Sequence, residues 1–211
     1  MLKLHHLEQS RSTRIIWALE ELGLDYALQH YKRLPSFAAP ATLQQIHPLG
    51  TAPILEDGDL CLPESAAILE YLQSEYDTNQ QFRPQSKTLL IQYVFWMHFA
   101  EASLMPLLVM HLVMTKVSTE VPFLIRPIAK QVGAGVKKHF IQPRLGRQLD
   151  YIEQHLAQHA YFSGEFSFAD IQMSFPLYRV QQRLQGAYPN IQVYLKRIEQ
   201  RPAYQRAIAK E

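Results

Sequence analysis

A hydroxyl-rich turn near the start of the chain, Ser10-Arg11-Ser12-Thr13, carries the first candidate chemistry. It follows an apolar run and precedes a helical pattern. A hydroxyl in such a turn can donate to a bound anion, and the positive end of the following helix would assist it. Serine and threonine are also preferred helix caps, so ordinary capping is the alternative role for at least one of these hydroxyls.

A second candidate is Gly50-Thr51-Ala52-Pro53-Ile54, directly before a predicted strand. Proline is tolerated at the first residue of a strand because its missing N–H removes no ladder hydrogen bond. If the Ala52–Pro53 bond is cis, the Ala52 backbone turns outward and offers its N–H and C=O to a ligand. Only about 5–6% of X–Pro bonds in folded proteins are cis, so this segment is weak evidence by itself.

The third candidate is Glu64-Ser65, at the start of a predicted helix. A helix N-terminus has free N–H donors and partial positive charge, which together favour a carboxylate. Glu64 adds an acceptor for an ammonium group, so the pair suits the head of an α-amino acid. The alternative is that Glu64 is only a favourable residue for the first helical turn.

Aromatic and methionine side chains are concentrated in the segment after residue 92. Most are expected in a hydrophobic core, and a few can line an apolar cleft between two domains. The residues are Tyr93, Phe95, Trp96, Met97, Phe99, Met105 and Met110.

The elements that must position these candidates begin with a strand over Leu2–Leu7. An amphipathic helix follows, with Gly23 where a left-handed cap belongs. A second strand over Tyr26–His30 must be parallel to the first, because a helical crossover joins them. The helix is predicted from the spacing of Ile15, Ile16, Leu19 and Leu22.

Asp57-Gly58 lies between two apolar runs and predicts a β-hairpin that ends at Pro63. From Glu64 onward the apolar spacing predicts an amphipathic helix. The order is therefore strand-helix-strand followed by strand-strand-helix (βαβ, then ββα). That order is typical of an α/β thioredoxin-like domain, which we assign to residues 1–78.

The rest of the chain predicts an all-helical domain. Residues 79–87 are polar and predict a linker, and no convincing strand follows, so residues 88–211 are expected to form a helical bundle. Its predicted helices are Thr88–Lys116, Pro122–His159, Phe168–Leu184 and Ile191–Lys210.

One boundary in this domain can be predicted closely, from Phe166 to Ile171. Ser167 can accept from the Asp170 N–H, and the Asp170 carboxylate can reach back to the Ser167 N–H, as in a capping box. Phe166 and Ile171 stand at the positions of a hydrophobic staple. A helix start explains all four residues, whereas a catalytic role would explain Asp170 alone.

Composition excludes several classes of protein. Of 211 residues, 47% are hydrophobic and 19% charged, and the net charge of +2 is not clustered. We therefore expect neither nucleic acid nor a membrane as partner. The apolar stretches near Phe95 and Leu108 are interrupted by charges and Pro106, which argues against a membrane span. Cys61 is the single cysteine, so an internal disulfide or cysteine metal site is not expected, and a reducing cytoplasm fits.

Taken together, these segments resemble the cytosolic glutathione transferase family over the whole chain. "SRSTRIIWALEELGLDY" is similar to its opening strand-to-helix segment, and "HPLGTAPILEDGDLCLPESAAILEYL" to its glutathione-binding segment. "SGEFSFADI" is similar to its C-terminal capping box. "HPLG" and "HFAEASLMP" resemble a bacterial and fungal branch of the superfamily. The resemblance implies glutathione as co-substrate, no metal, a small hydrophobic electrophile as second substrate, and a homodimer.

The resemblance also implies roles for individual residues. Pro53 becomes the cis-proline, and Ala52 the backbone clamp on the cysteinyl part of glutathione. Glu64 and Ser65 bind the γ-glutamyl head, and Ser10 or Ser12 contacts the sulfur. Ser10 is preferred because it opens the turn, whereas capping competes for the Ser12 oxygen. The second-substrate pocket is expected at Leu7, Phe99, Glu101 and Met105.

Two departures from the family pattern affect these expectations. Thr51 stands where many relatives place a basic or amide side chain near the glycyl carboxylate, so Lys32 or Arg33 supplies the charge or affinity is low. The opening turn has no tyrosine or cysteine, which leaves serine chemistry. The alternatives are a binding or regulatory protein that kept the fold without catalysis, and a specialised glutathione-dependent peroxidase, isomerase or dehalogenase.

Overall fold

Four strands form one mixed sheet in the computed structural model, which describes residues 1–36, 38–181 and 188–211. The strand order is β2-β1-β3-β4, with β1 parallel to β2 and the other pairs antiparallel. This is the predicted βαβ and ββα arrangement. Its elements are β1 (Leu2–Leu7), α1 (Thr13–Leu22), β2 (Tyr26–Tyr31), β3 (Ile54–Asp57), β4 (Leu60–Pro63) and α2 (Ser65–Tyr76).

The turns of this domain follow from local chemistry. Gly23 ends α1 at φ 65°, as predicted, and its N–H bonds to the carbonyl of Glu20. The β3–β4 hairpin lies one residue later than expected. Asp57 still belongs to β3 and pairs with Leu60, so the two-residue turn is Gly58-Asp59. Gly58 has φ 57°, a conformation that glycine adopts without a Cβ clash.

Helices make up most of the rest of the chain. The predicted all-helical C-terminal domain is thereby confirmed, although its helices are divided differently from expectation. A short 3₁₀ turn also occurs at Phe123–Ile125. The α-helices are α3 (Lys87–Phe99), α4 (Met105–Glu120), α5 (Arg126–Val136), α6 (Gln142–Gln158), α7 (Phe168–Gln181), α8 (Pro189–Glu199) and α9 (Pro202–Ala209).

Prolines account for most of that division. A π turn at Ala100–Leu104 joins α3 to α4 just before Pro106, and another at Lys137–Ile141 joins α5 to α6 just before Pro143. Proline lacks an N–H and its ring crowds the carbonyl four residues earlier, so a widened turn relieves the helix. The helix predicted over 191–210 is two helices, because Pro202 starts a new one. The predicted end of the 168–184 helix lies outside the described residues.

The continuous helix Lys87–Glu120 corrects one expectation. Its 34 residues are long and apolar enough to cross a membrane by length and composition, despite the interruptions seen in the sequence. One side packs into the core of the chain, where Trp96, Ala100 and Leu104 are buried. A core helix of a soluble protein passes the same test, so this segment alone is weak evidence for a membrane.

The capping box at the start of α7 is present in altered form. Asp170 accepts from the Ser167 N–H at 2.9 Å, as predicted, and also from the Phe162 N–H at 3.1 Å. The Ser167 hydroxyl does not accept from the Asp170 N–H as expected. Instead it donates to the Asp170 carboxylate at 3.1 Å. Asp170 is fully buried and also receives the Tyr194 hydroxyl, so its role is structural.

Candidate active site

The three candidate segments meet at one end of the sheet. His5 of β1 pairs with Ile54 at the start of β3, and Ile54 also pairs with Pro63 at the end of β4. Because these strands are antiparallel, the chain after His5, the chain before Ile54 and the chain after Pro63 all leave the sheet at this end. The serine turn, the proline loop and the start of α2 are therefore brought together by strand register.

In the serine turn, Ser12 is enclosed on all sides. Its Oγ lies 2.8 Å from His6 Nδ1 and 2.6 Å from Ser10 Oγ, and it accepts from the Leu7 N–H at 3.1 Å. The Ser12 side chain has no exposed surface, whereas Ser10 keeps a small exposed fraction. Ser10 is therefore the better placed of the two predicted hydroxyls to contact a ligand.

The expected division between capping and chemistry is corrected here. Ser12 occupies the position before α1, but its side chain makes no cap hydrogen bond because its oxygen is bound to the strand. Ser10 Oγ accepts from the Ser12 N–H at 3.1 Å, within the turn and not as a cap of α1. The competition for the Ser12 oxygen therefore comes from β1, through Leu7 and His6, and not from helix capping.

The proline loop has the expected backbone. The Ala52–Pro53 bond is cis, Gly50 has φ 59°, and Pro53 is buried while Thr51 is exposed. Of the two predicted sources of charge, Lys32 is exposed, and Arg33 donates to the carbonyl oxygen of Glu8 at 2.9 Å, two residues before the serine turn.

At the start of α2, Glu64 has φ 71° and ψ 116°, which is rare for a residue with a side chain. Such strained residues concentrate at ligand-binding sites. Glu64 is exposed, whereas Ser65 is buried. The Ser65 Oγ accepts from Arg14 Nη2 at 2.7 Å, which leaves the Ser65 hydroxyl proton available as a donor.

Arg14 is the site residue that sequence reasoning missed. It is almost fully buried in α1 and donates to Ser65, to Glu101 Oε1 at 2.7 Å and to the Gln172 carbonyl oxygen at 3.0 Å. Burial lowers the pKa of Arg14 to about 10, and Glu101 partly opposes that shift. Arg14 thus connects both domains to the start of α2. Its sequence position in a first helical turn is typical of a solvated side chain and gave no signal.

Glu101 lies where the resemblance places it, on the helix that faces the serine turn. Its two carboxylate oxygens share the single N–H of Arg11 Nε, each at 3.1 Å, in addition to the hydrogen bond from Arg14. Burial acts to raise the pKa of Glu101, but Arg14 and Arg11 outweigh it and lower the pKa. The carboxylate is therefore held ionised between the two arginines.

An apolar groove of about 490 Å³ opens beside this ion pair. Two of the predicted pocket residues, Glu101 and Met105, line it. The other two do not. Leu7 is buried, and Phe99 lines a separate groove with Tyr151. The remaining lining residues of the first groove are Arg11, Pro106, Val109, Met110 and Val113.

Comparison with known proteins identifies the family of both parts of the chain. Residues 1–74 match the family model for the glutathione S-transferase N-terminal domain, and residues 104–202 match the model for the C-terminal domain. Glutathione S-transferase 3 of Schizosaccharomyces pombe is 40% identical over 96% of this chain and 85% of its own length. Glutathione S-transferase 1 of Saccharomyces cerevisiae is 32% identical over 97% of this chain and 92% of its own.

A solved glutathione S-transferase from Actinobacillus pleuropneumoniae has the same fold. Its TM-score is 0.80 at 34% identity, with 100% of this chain and 92% of that chain covered. The two domain models match residues 1–74 and 104–202, and each of these three relatives covers at least 96% of this chain. The chain therefore belongs to the glutathione S-transferase family and is a glutathione transferase.

Proposed function

We propose that this transferase binds glutathione across the three segments at the end of the sheet. The observation that carries the proposal lies at the start of α2. Arg14 donates to the Ser65 Oγ, which leaves the Ser65 hydroxyl proton available as a donor. A γ-glutamyl carboxylate would accept from Ser65 and the α2 N-terminus. The ammonium group of the γ-glutamyl residue would bind the exposed Glu64 carboxylate.

The proline loop supplies the next contacts in this proposal. The Ala52 backbone, preceding the cis-proline Pro53, pairs with the cysteinyl residue of the peptide. Thr51 and Lys32, both exposed, are the proposed neighbours of the glycyl carboxylate. Arg33, in the loop after β2, contributes charge from beside Glu8.

The reaction requires a thiolate. A free thiol has a pKa of about 8.5, and lowering it by ~2 units requires about 2.7 kcal/mol of preferential thiolate stabilisation. We assign Ser10 as the donor to the sulfur, with help from the N-terminus of α1. The thiolate then forms a C–S bond with an electrophilic carbon held in the groove beside Glu101 and Met105. The bond from that carbon to its leaving group, such as a halide or an epoxide oxygen, breaks, and the leaving group takes the electron pair. Proximity supplies much of the rate gain.

The electrophile is proposed to be small and hydrophobic, because most side chains lining the groove are apolar. A panel of aryl halides, epoxides, isomerisable acids and hydroperoxides tests this assignment. Turnover of hydroperoxides alone would favour the specialised peroxidase instead. We further propose that the enzyme is cytoplasmic. We place its domains at residues 1–78 and 88–211, because α2 ends at Tyr76 and α3 begins at Lys87.

Glu64→Ala tests the amino-acid head site. We expect glutathione to bind at least about fivefold more weakly, because a hydrogen bond to a charged group is lost. Isothermal titration calorimetry measures the change. Glu70→Ala is the matched control, since Glu70 is an exposed carboxylate on the same helix. Unchanged affinity in Glu64→Ala would remove Glu64 from the site.

A two-fold homodimer is the proposed assembly. The helix Lys87–Glu120 exposes an apolar stripe outside the electrophile groove that includes Ile91, Val94 and Leu112, each more than two-fifths exposed. An apolar stripe of this kind is typical of a protein interface. Sedimentation should therefore give about twice the 24.5 kDa chain mass.

Leu112→Asp is expected to shift that equilibrium toward monomer, because a carboxylate would be buried in the interface. Val193→Asp places the same charge on a similarly exposed apolar position of α8 and should leave the mass unchanged. A wild-type protein that sediments as a monomer would exclude the assembly.

A further inference from the structure

The function proposed above makes no use of His6, a histidine of β1 that lies beneath the serine turn. Its side chain has no exposed surface, and its Nδ1 lies 2.8 Å from Ser12 Oγ. Ser12 Oγ lies 2.6 Å from Ser10 Oγ. These three side chains, which we call the hydroxyl relay, connect the strand to the hydroxyl that we place at the glutathione sulfur.

The direction of the relay depends on which nitrogen of His6 carries the proton. If Nδ1 accepts, Ser12 donates to His6 and has room to accept from the Leu7 N–H and from Ser10. The Ser10 hydroxyl proton is then donated to Ser12 Oγ, within the turn. In that case Ser10 presents only its oxygen to the ligand, and a thiolate would be repelled.

The opposite tautomer fits the surroundings better. His6 Nε2 is buried and has no hydrogen-bond partner within the described residues. A buried N–H left unpaired is rarer in folded proteins than an unpaired acceptor, which favours a bare Nε2 and a proton on Nδ1. Burial, together with His30, also lowers the pKa of His6 to about 4, so the ring is neutral near pH 7 and carries one proton.

We propose that His6 is a positioning residue for thiolate formation: its Nδ1–H starts the relay and frees the Ser10 proton for the sulfur. Ser12 Oγ accepts from the His6 Nδ1–H and from the Leu7 N–H. Its own proton is donated to Ser10 Oγ at 2.6 Å, because the alternative acceptor, the Leu7 carbonyl oxygen, is farther away at 3.2 Å. Ser10 Oγ then accepts from the Ser12 hydroxyl and from the Ser12 N–H. Because both lone pairs of Ser10 Oγ then accept hydrogen bonds from Ser12, the Ser10 hydroxyl proton is available to be donated to the ligand.

This inference rests on the proposed role of Ser10 and deepens it. Hydrogen bonds in series polarise one another, so each donor strengthens the next. His6 would thereby act on the sulfur through two hydroxyl groups without touching glutathione. Ser12, which cannot reach the ligand, gains a defined role as the middle member of the relay.

The experiment compares three variants of the full-length enzyme. His6→Phe removes the donor and fills the space, and His6→Asn keeps a side-chain N–H near the Nδ1 position. His5→Phe is the matched control, because His5 is an equally buried histidine of β1 whose Nδ1 bonds to the Tyr31 hydroxyl and not to the turn. The readout is the pKa of the bound glutathione thiol, from its ultraviolet thiolate absorbance.

We expect His6→Phe to raise that pKa by about 0.5–1 unit, the size of one hydrogen bond's net contribution. In His6→Asn the thiol pKa should return most of the way to the wild-type value. In His5→Phe the thiol pKa should be unchanged, even if the variant is less stable. Equal shifts in His5→Phe and His6→Phe, or none in His6→Phe, would overturn the relay.

Nitrogen NMR of the wild-type imidazoles provides a test that needs neither glutathione nor a variant that folds. A proton on Nδ1 of His6 supports the relay, and a proton on Nε2 overturns it. The two proposals fail differently. A wild-type complex without any thiolate would overturn the proposed function, whereas a thiolate that persists unchanged in His6→Phe overturns the relay alone.

Discussion

Replacing Ser10 with alanine is expected to raise the pKa of the bound glutathione thiol by about 1–2 units. A hydrogen bond to a charged group contributes about 1.5–3 kcal/mol, and one pKa unit corresponds to about 1.4 kcal/mol. At pH values below the wild-type pKa, kcat/KM for chlorodinitrobenzene should fall by about 10- to 100-fold, because the thiolate fraction falls by that factor. Thiolate absorbance as a function of pH, together with the pH profile of kcat/KM, measures both effects.

Thr13→Val is the matched control for this prediction. Thr13 belongs to the same turn, but its hydroxyl donates to the Ser10 carbonyl oxygen and to Glu211. Its loss should leave the thiol pKa unchanged. If Ser10→Ala also left the pKa unchanged, a backbone N–H of the turn would become the better candidate and the serine mechanism would have to be abandoned.

Replacing Asp170 with alanine is expected to lower the free energy of unfolding by about 3 kcal/mol or more. Two buried N–H groups, those of Phe162 and Ser167, would lose their acceptor, and each unpaired buried donor costs about 1–3 kcal/mol. The Tyr194 hydroxyl would lose a partner as well. Urea unfolding at fixed protein concentration measures the change, and Glu165→Ala, an exposed carboxylate nearby, should cost less than about 0.5 kcal/mol.

The same carboxylate predicts a pH dependence whose sign is unusual for an acid. Burial raises the pKa of Asp170 to about 6 from an ordinary value of 3.8, although hydrogen bonds from Ser167 and Phe162 oppose the shift. The folded state therefore binds this proton more tightly than the unfolded state. Its contribution to stability is full below about pH 4 and is lost as the pH rises through about 6.

Asp170→Asn isolates this contribution, because the amide keeps one acceptor and cannot titrate. Between pH 4 and 6, the stability of the wild type relative to Asp170→Asn should decline as the pH rises. A difference that grows with pH in this window would show that the hydrogen bonds outweigh burial.

The fold was predictable because its signals are local. Two predictions from local patterns were correct. The apolar spacing and Gly23 predicted α1, and the helical crossover predicted that β1 and β2 are parallel. Half of the capping box was also correct: Asp170 accepts from the Ser167 N–H, whereas the Ser167 hydroxyl donates to Asp170 and does not accept from its N–H. The hairpin turn was misplaced by one residue, since Asp57-Gly58 and Gly58-Asp59 are similar turn signals and strand pairing decides between them. Continuous helices were expected where prolines impose π turns, because the hydrophobic period continues through such a turn.

The candidate site was only partly predictable. Ser10, Pro53, Glu64 and Ser65 carry distinctive residue types at the ends of local elements, which is why they were identified. Alternation along β1 places His6 on the same face as Leu2 and Leu4, which signals a buried histidine but not its partner.

By itself, then, the sequence determined the elements, their order and the family, since propensity, periodicity and turn chemistry act over a few residues. The tertiary structure alone decided which groups touch. Arg14 reaches Ser65 and Glu101 across 51 and 87 residues of chain. Ser12 bonds to His6 of β1, a contact that local capping rules did not anticipate. The reason is physical: a buried charge or hydroxyl must find a partner wherever packing places one, and that partner need not be near in sequence.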